Sequence, residues 1–291
     1  MHRSPLITAL ELAAQLRAGP AAPLLLDVRW SLGSGDGYIS YLQGHLPGAV
    51  FVDMEHDLCG LPQEDGHGGR HPMPTVDDFE LDMAECGVDY HRAVVCYDDF
   101  GSLAAARCWW LLRHFGKYNV QVLDGGLRQW KARRLPVESG ARHIEEGDFE
   151  VRRGHINVLK ADQALLYAQQ GLLLDGRPRD RFHGENEIVD DVPGHIPGAV
   201  NVPVQELLNP DGTFLAREEL RRVLIEAGVD GERPVATYCG SGIAAAHLAL
   251  AIDAAGLGDD VPVYVGSWSD WTSDRTRPVA VNTHAAAEAV G

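Results

Sequence analysis

The sequence has no apolar run approaching the roughly 18 residues that a membrane-crossing helix needs, and it has no C-x-x-C pair. The first absence argues against a membrane protein and the second against a zinc knuckle. Cysteine is scarce: Cys59, Cys86, Cys96, Cys108 and Cys239 are all there are. An odd, unpatterned set is no disulfide framework, so a reducing cytoplasm is the expected compartment. Positive charge is also short, since 25 basic side chains face 42 acidic ones for a formal net charge of −17. That surface repels phosphate backbones and anionic lipid, which removes nucleic acid and membranes as expected partners. A secretory leader is not expected either, because Glu11 falls where its apolar centre would lie. The stretch reads instead as an amphipathic helix with Thr8 and Glu11 as a capping box and Ala9, Leu12, Ala13 and Leu16 on one face.

What is present is ordinary globular composition, 45% hydrophobic and 23% charged, over 291 residues. At about 150 residues per domain the length suits two domains, each with its own core. The chain repeats itself at that scale. Asp27 and Arg29 in LLLDVR match Asp175 and Arg177 in LLLDGR at an offset of 148. Gly44-His45-Leu46-Pro47-Gly48-Ala49-Val50 matches Gly194-His195-Ile196-Pro197-Gly198-Ala199-Val200 at an offset of 150. Further on, VVCYDDFGSLAAA matches VATYCGSGIAAA and Trp130 matches Trp271 at 141, which sets Asp98 opposite Cys239. The fall to 141 means that the first half holds about nine extra residues, and CGLPQEDGHGGRHPMP, residues 59–74, is their expected place as a loop.

Short apolar runs (LLLDV, AVVCY, VQVLD; LLLDG, PVATY, VPVYV) alternate with helix-like stretches in both halves. Strands covered on both faces read this way, so the fold class is α/β, with two tandem domains that are each a parallel sheet flanked by helices. The expected boundaries are a first domain over 1–138, a linker over 139–156 and a second domain over 157–291. Trp109, Trp110, Trp130, Trp268 and Trp271 are expected in the core or at the domain interface. The glycines at 33, 35 and 37 read as a surface loop, and Glu185, Glu187, Asp190 and Asp191 as a solvated acidic loop with no regular cation-ligand spacing.

Cys239 follows an apolar strand and precedes a helix, with Gly240 and Gly242 free to turn backbone N–H groups inward. Such a nest at a helix N-terminus favours an anion, and a thiolate there gains amide hydrogen bonds. A cysteine phosphatase has the same layout but needs an Arg six residues after the Cys to hold phosphoryl oxygens, and that position is Ala245.

At this point the chain resembles a two-domain sulfurtransferase of the rhodanese family, nearest its 3-mercaptopyruvate branch. The motifs are Tyr41-x-x-x-His45-Leu46-Pro47-Gly48-Ala49, its copy at Gly194–Ala199, and the loop Cys239-Gly240-Ser241-Gly242-Ile243-Ala244. The resemblance spans about Leu6 to Pro278 and implies two rhodanese-like domains, the first non-catalytic, the second catalytic. It also implies that Cys239 takes sulfur from a small anionic donor as a persulfide and passes it to a thiol, a thioredoxin-like protein or cyanide. No cofactor or metal is implied.

By the same resemblance Arg177 and Arg181 bind the donor's carboxylate, and Gly240, Gly242, Ile243 and Ala244 line the donor site. Ser241 works with a first-domain histidine, matched to His45, and an acid for which Asp36 is the nearest candidate; His195 reads as a turn residue. The Gly-Ser-Gly loop lacks the basic residues of thiosulfate-preferring relatives, which favours mercaptopyruvate, although Ala244 stands where that branch usually has Thr. The alternatives are a thiosulfate-preferring enzyme and a non-enzymatic sulfur carrier that docks a partner on its acidic surface.

Overall fold

The structure, a computed structural model, describes residues 4–152 and 156–281. In the first half the strands are β1 (Leu6–Ile7), β2 (Leu24–Asp27), β3 (Val50–Phe51), β4 (Val94–Tyr97) and β5 (Val120–Leu123). They form one parallel sheet in the order β1-β5-β4-β2-β3. β2, β4 and β5 are buried at every residue, as continuous apolar runs covered on both faces require. The covering helices are α1 (Ala9–Gln15), α2 (Gly37–Gln43), α3 (Val76–Glu85), α4 (Leu103–His114) and α5 (Gly126–Ala132). The expected capping box opens α1, with Thr8 and Glu11 satisfying each other's backbone N–H groups.

The second half repeats the plan with α6 (Ala161–Gln170), β6 (Leu172–Asp175), α7 (Arg179–His183), β7 (Val200–Asn201), α8 (Arg217–Glu226), β8 (Val235–Tyr238), α9 (Ile243–Ala255) and α10 (Ser267–Trp271). Its parallel order is β7-β6-β8, continued by single parallel bridges from Thr237 to Val263 and from Val263 to Val158. The order of the first sheet is thus conserved, but VPVYV is a bridge and not a full strand. Pro262 stands where β5 has Gln121 on the 141 offset, and a proline has no N–H for the ladder.

The halves are joined through α4 and α9, which pack on one another and share a core that runs through both domains. Both helices are alanine-rich and buried nearly all round, which is how a helix apolar on every face must sit. Arg113 on α4 reaches across to Asp253 on α9 at 2.9 Å and to Asp260 at 2.8 Å. The five tryptophans named above are all buried. Residues 139–152 form no helix or strand, yet they lie along the first domain: Phe149 packs edge-on to Phe79 and Arg152 N–H donates to the Phe115 carbonyl. Each of α4 and α9 begins at the carboxyl end of a central strand, where open α/β sheets build their sites.

Candidate active site

β8 ends at Tyr238, and the chain turns through residues 239–242 into α9. The Cys239 side chain is buried at 3% exposure, and its Sγ accepts a hydrogen bond from Gly242 N–H at 3.1 Å. Gly242 has φ +87, and a Cβ there would stand 2.5 Å from the Val265 carbonyl oxygen, so only glycine closes this turn. The sulfur stands at the N-terminal, positive end of the 13-residue α9. A second turn braces the loop: Trp268 N–H donates to the Cys239 carbonyl at 2.9 Å and Ser269 N–H to the Gly240 carbonyl at 3.0 Å. Ser267 adopts φ +53, a costly angle for a non-glycine residue, and its Oγ accepts from Cys239 N–H at 3.0 Å while donating to the Tyr264 carbonyl at 2.8 Å.

The remaining site groups come from the first domain, on the expected loop 59–74. His71 Nδ1 lies 2.8 Å from Ser241 Oγ. Burial, then the charges of Arg107 and Arg70, pull the His71 imidazole down to about 4, so it is neutral near pH 7. Arg70 and Arg181 flank the Gly240 face of the loop: a Cβ on Gly240 would lie 3.5 Å from an Arg70 Nη and 3.7 Å from an Arg181 Nη. Arg107, on α4, is fully buried and donates to the carbonyls of Leu58, His71 and Pro72. Its Nε and Nη1 have no hydrogen-bond partner, and a Cβ at Gly242 would stand 3.1 Å from Nη1. Burial lowers its basicity, and the opposing influences come from the sulfurs of Cys59 and Cys239.

A thiol at a helix N-terminus, with the guanidinium groups of Arg70, Arg107 and Arg181 around its loop, suits anionic sulfur chemistry. A model of the rhodanese-like domain matches the chain twice, over residues 8–133 and 159–274. The chain belongs to the rhodanese family. A Mycobacterium tuberculosis protein that carries the name of a thiosulfate sulfurtransferase, SseB, is 43% identical over 96% of this chain and 97% of its own. A Pseudomonas aeruginosa protein that carries the name of a 3-mercaptopyruvate sulfurtransferase is 41% identical over 96% and 99%. The crystal structure of SseA from Escherichia coli, whose title concerns the rhodanese fold of 3-mercaptopyruvate sulfotransferases, has a TM-score of 0.79 at 33% identity and covers 91% of this chain and 99% of its own. This rhodanese is a sulfurtransferase, and its fold is two rhodanese-like domains.

Of the residues expected at the rhodanese site, Cys239, Gly240, Ser241, Gly242 and Arg181 come together. Ile243 turns its side chain into the core and Ala244 is half-buried in the first turn of α9. His45 is a correction: it is buried in its own domain, stacked on Tyr41, with Nδ1 on the Tyr41 carbonyl at 2.8 Å, and the histidine at Ser241 is His71. Arg177 is a second correction. At 2% exposure it is spent on Asp175 and the Gly194 carbonyl, as Arg29 is on Asp27 and the Gly44 carbonyl. Burial opposes its charge, but Asp175 more than compensates and raises its basicity. Its Nε and Nη2 are thus engaged within the fold, while Nη1 lies 3.7 Å from Glu187. Asp36 is exposed and bonded to Ser34. The acidic stretch is not solvated throughout, because the side chains of Glu187 and Asp190 are 3% and 4% exposed and pair with arginines.

Sequence reasoning passed over Arg70, His71 and Arg107. The signal for the first two was the insertion itself, a Gly-rich loop with Arg and His that the second half lacks. Arg107 had none, since it sits in an apolar helix and acts across the domain junction. At the position opposite Cys239, Asp98 caps α4 by accepting from the N–H groups of Ser102 and Ala105, and the first domain has no thiol there.

Proposed function

We propose that this rhodanese moves sulfur from 3-mercaptopyruvate, with thiosulfate as a slower donor, through a persulfide on Cys239 to a thiol acceptor. The observation that carries this reading is the Cys239 sulfur held on the Gly242 amide at the head of α9 beside the buried, carboxylate-free Arg107. The thiolate attacks the donor's sulfur, and the carbon–sulfur bond breaks with its electrons going to the pyruvate enolate. The enolate takes a proton to become pyruvate, and Cys239 keeps the S–SH group. An acceptor thiolate then attacks the outer sulfur, leaves as a hydropersulfide and returns Cys239 as thiolate. Each step exchanges one stabilised sulfur anion for another.

Neutral His71, with its proton on Nδ1, donates to Ser241 Oγ and leaves the hydroxyl free to hydrogen-bond the donor's keto oxygen as enolate charge develops. Arg181 holds the donor carboxylate by its planar fork. The acceptor is a small thiol or a thioredoxin-like protein, and cyanide serves as an artificial one. Five free cysteines suit a reducing cytoplasm. The first domain over 1–138 carries no nucleophile of its own but lends its 59–74 loop to the second.

Steady-state assay with each donor and dithiothreitol tests this. A higher kcat/KM for 3-mercaptopyruvate supports the donor assignment; equal or better thiosulfate turnover overturns it. The mycobacterial relative's name favours the thiosulfate alternative, so both donors belong in one assay.

A further inference from the structure

The second arm of an anion clamp at Cys239 cannot be Arg177, whose guanidinium faces Asp175 and Gly194. Another guanidinium stands at the loop, from the other domain. The Arg70 backbone is docked on the turn that braces Cys239, through its N–H to Ser269 Oγ at 3.0 Å and through Gly68 N–H to Asp270 at 2.9 Å. Its guanidinium and that of Arg181 converge on the space left by the missing Gly240 side chain. Arg70 Nε is buried without a hydrogen-bond partner. Between the two arms stands one carboxylate: Asp190 accepts from Arg70 at Oδ1 over 2.5 Å and from Arg181 at Oδ2 over 2.8 Å. Glu187 backs Arg181 at 2.9 Å.

We propose that Arg70 is the second arm of the donor clamp, reaching across the domain junction, and that Asp190 tunes the clamp for donor charge. Two cations and two carboxylates leave the cluster neutral. A monoanionic donor exchanges its carboxylate for Asp190 on the two forks, whereas a dianion adds a second, uncompensated charge beside the Cys239 thiolate. Arg70 and Asp190 are therefore specificity-determining residues. This rests on the reading of the Cys239 site as one for anionic sulfur donors.

The test measures kcat and KM for 3-mercaptopyruvate and thiosulfate in Arg70→Gln, Arg70→Lys and Asp190→Asn, with melting curves to confirm folding. Arg70→Gln should raise the ketoacid KM about tenfold to a hundredfold, with kcat changed less than about threefold, the behaviour of a lost binding charge. Arg70→Lys should recover part of that loss, since it keeps the charge without the fork. Asp190→Asn should raise kcat/KM for thiosulfate relative to mercaptopyruvate about tenfold, because the cluster then carries a net positive charge. Unchanged KM values in folded Arg70→Gln, or an unchanged donor ratio in folded Asp190→Asn, would overturn the inference. A wild-type protein that takes sulfur from neither donor would instead defeat the site reading on which it rests.

Discussion

His45 and His195 make the same hydrogen bond, each Nδ1 sitting 2.8 Å from a backbone carbonyl, of Tyr41 and of Phe182. Each also pairs its backbone with a trailing segment, at Glu138 and at Ala280. A residue type repeated in both halves, one of which has no nucleophile, serves the fold. That rule was legible in the sequence, and it reassigns Arg177, the repeat partner of Arg29, as well as His45. The proposed chemistry uses what is not repeated: Cys239, Ser241, Arg181 and the 59–74 insertion. Substituting His45→Asn should therefore lower the melting temperature while kcat/KM stays near wild type. His71→Asn should cut kcat/KM about a hundredfold. Below about pH 6.5 an unfolded histidine takes up a proton that buried His71 refuses until about 4. Native stability is thus lost as pH falls across that window, and His71→Asn should remove that share of the acid sensitivity in denaturant titrations. Arg177→Met should cost about 3–5 kcal/mol of stability, because it leaves Asp175 buried and unpaired, and urea unfolding would measure it.

At the scale of elements, α4 and α9 each follow a strand through a short turn, of five residues (98–102) before α4 and four (239–242) before α9. Both turns close on a left-handed N-cap, Ser102 and Gly242, but the pocket ahead of α4 holds a carboxylate where that ahead of α9 holds a thiol. Burial pushes Asp98 up to about 6 against the backbone N–H groups that favour its charge. Between about pH 4 and 6 the native state therefore holds a proton that the unfolded chain has released, so stability falls as pH rises through that window. The stability difference between Asp98→Asn and wild type should change over that range and be flat above it, by up to about 3 kcal/mol. A difference constant from pH 4 to 8 would contradict this. The strands and helices were legible from their apolar runs. VPVYV has the apolar run of a strand but forms only single bridges at Val263; periodicity does not register the missing N–H of Pro262. The position of the insertion was legible too, but not its destination, since a Gly-rich loop carries no sequence signal for the surface it docks on.

For the whole molecule, the proposed site is assembled across the junction of the two domains. Cys239, Ser241 and Arg181 belong to the second; Arg70, His71 and the buried Arg107 belong to the first. The α4–α9 packing and the Arg113–Asp253 pair hold these sets in register. Duplication could be read from one sequence because it leaves matched strings, whereas the complementation of one copy by the other appears only in three dimensions. If a single sulfur, on Cys239, carries the reaction, intact mass with peptide mapping after donor treatment reads it directly. Wild-type protein should gain one sulfur atom on the peptide containing Cys239 and lose it on addition of dithiothreitol, and Cys239→Ser should gain none. A sulfur gained by Cys239→Ser, or carried in the wild type on Cys59, Cys86, Cys96 or Cys108, would contradict that assignment.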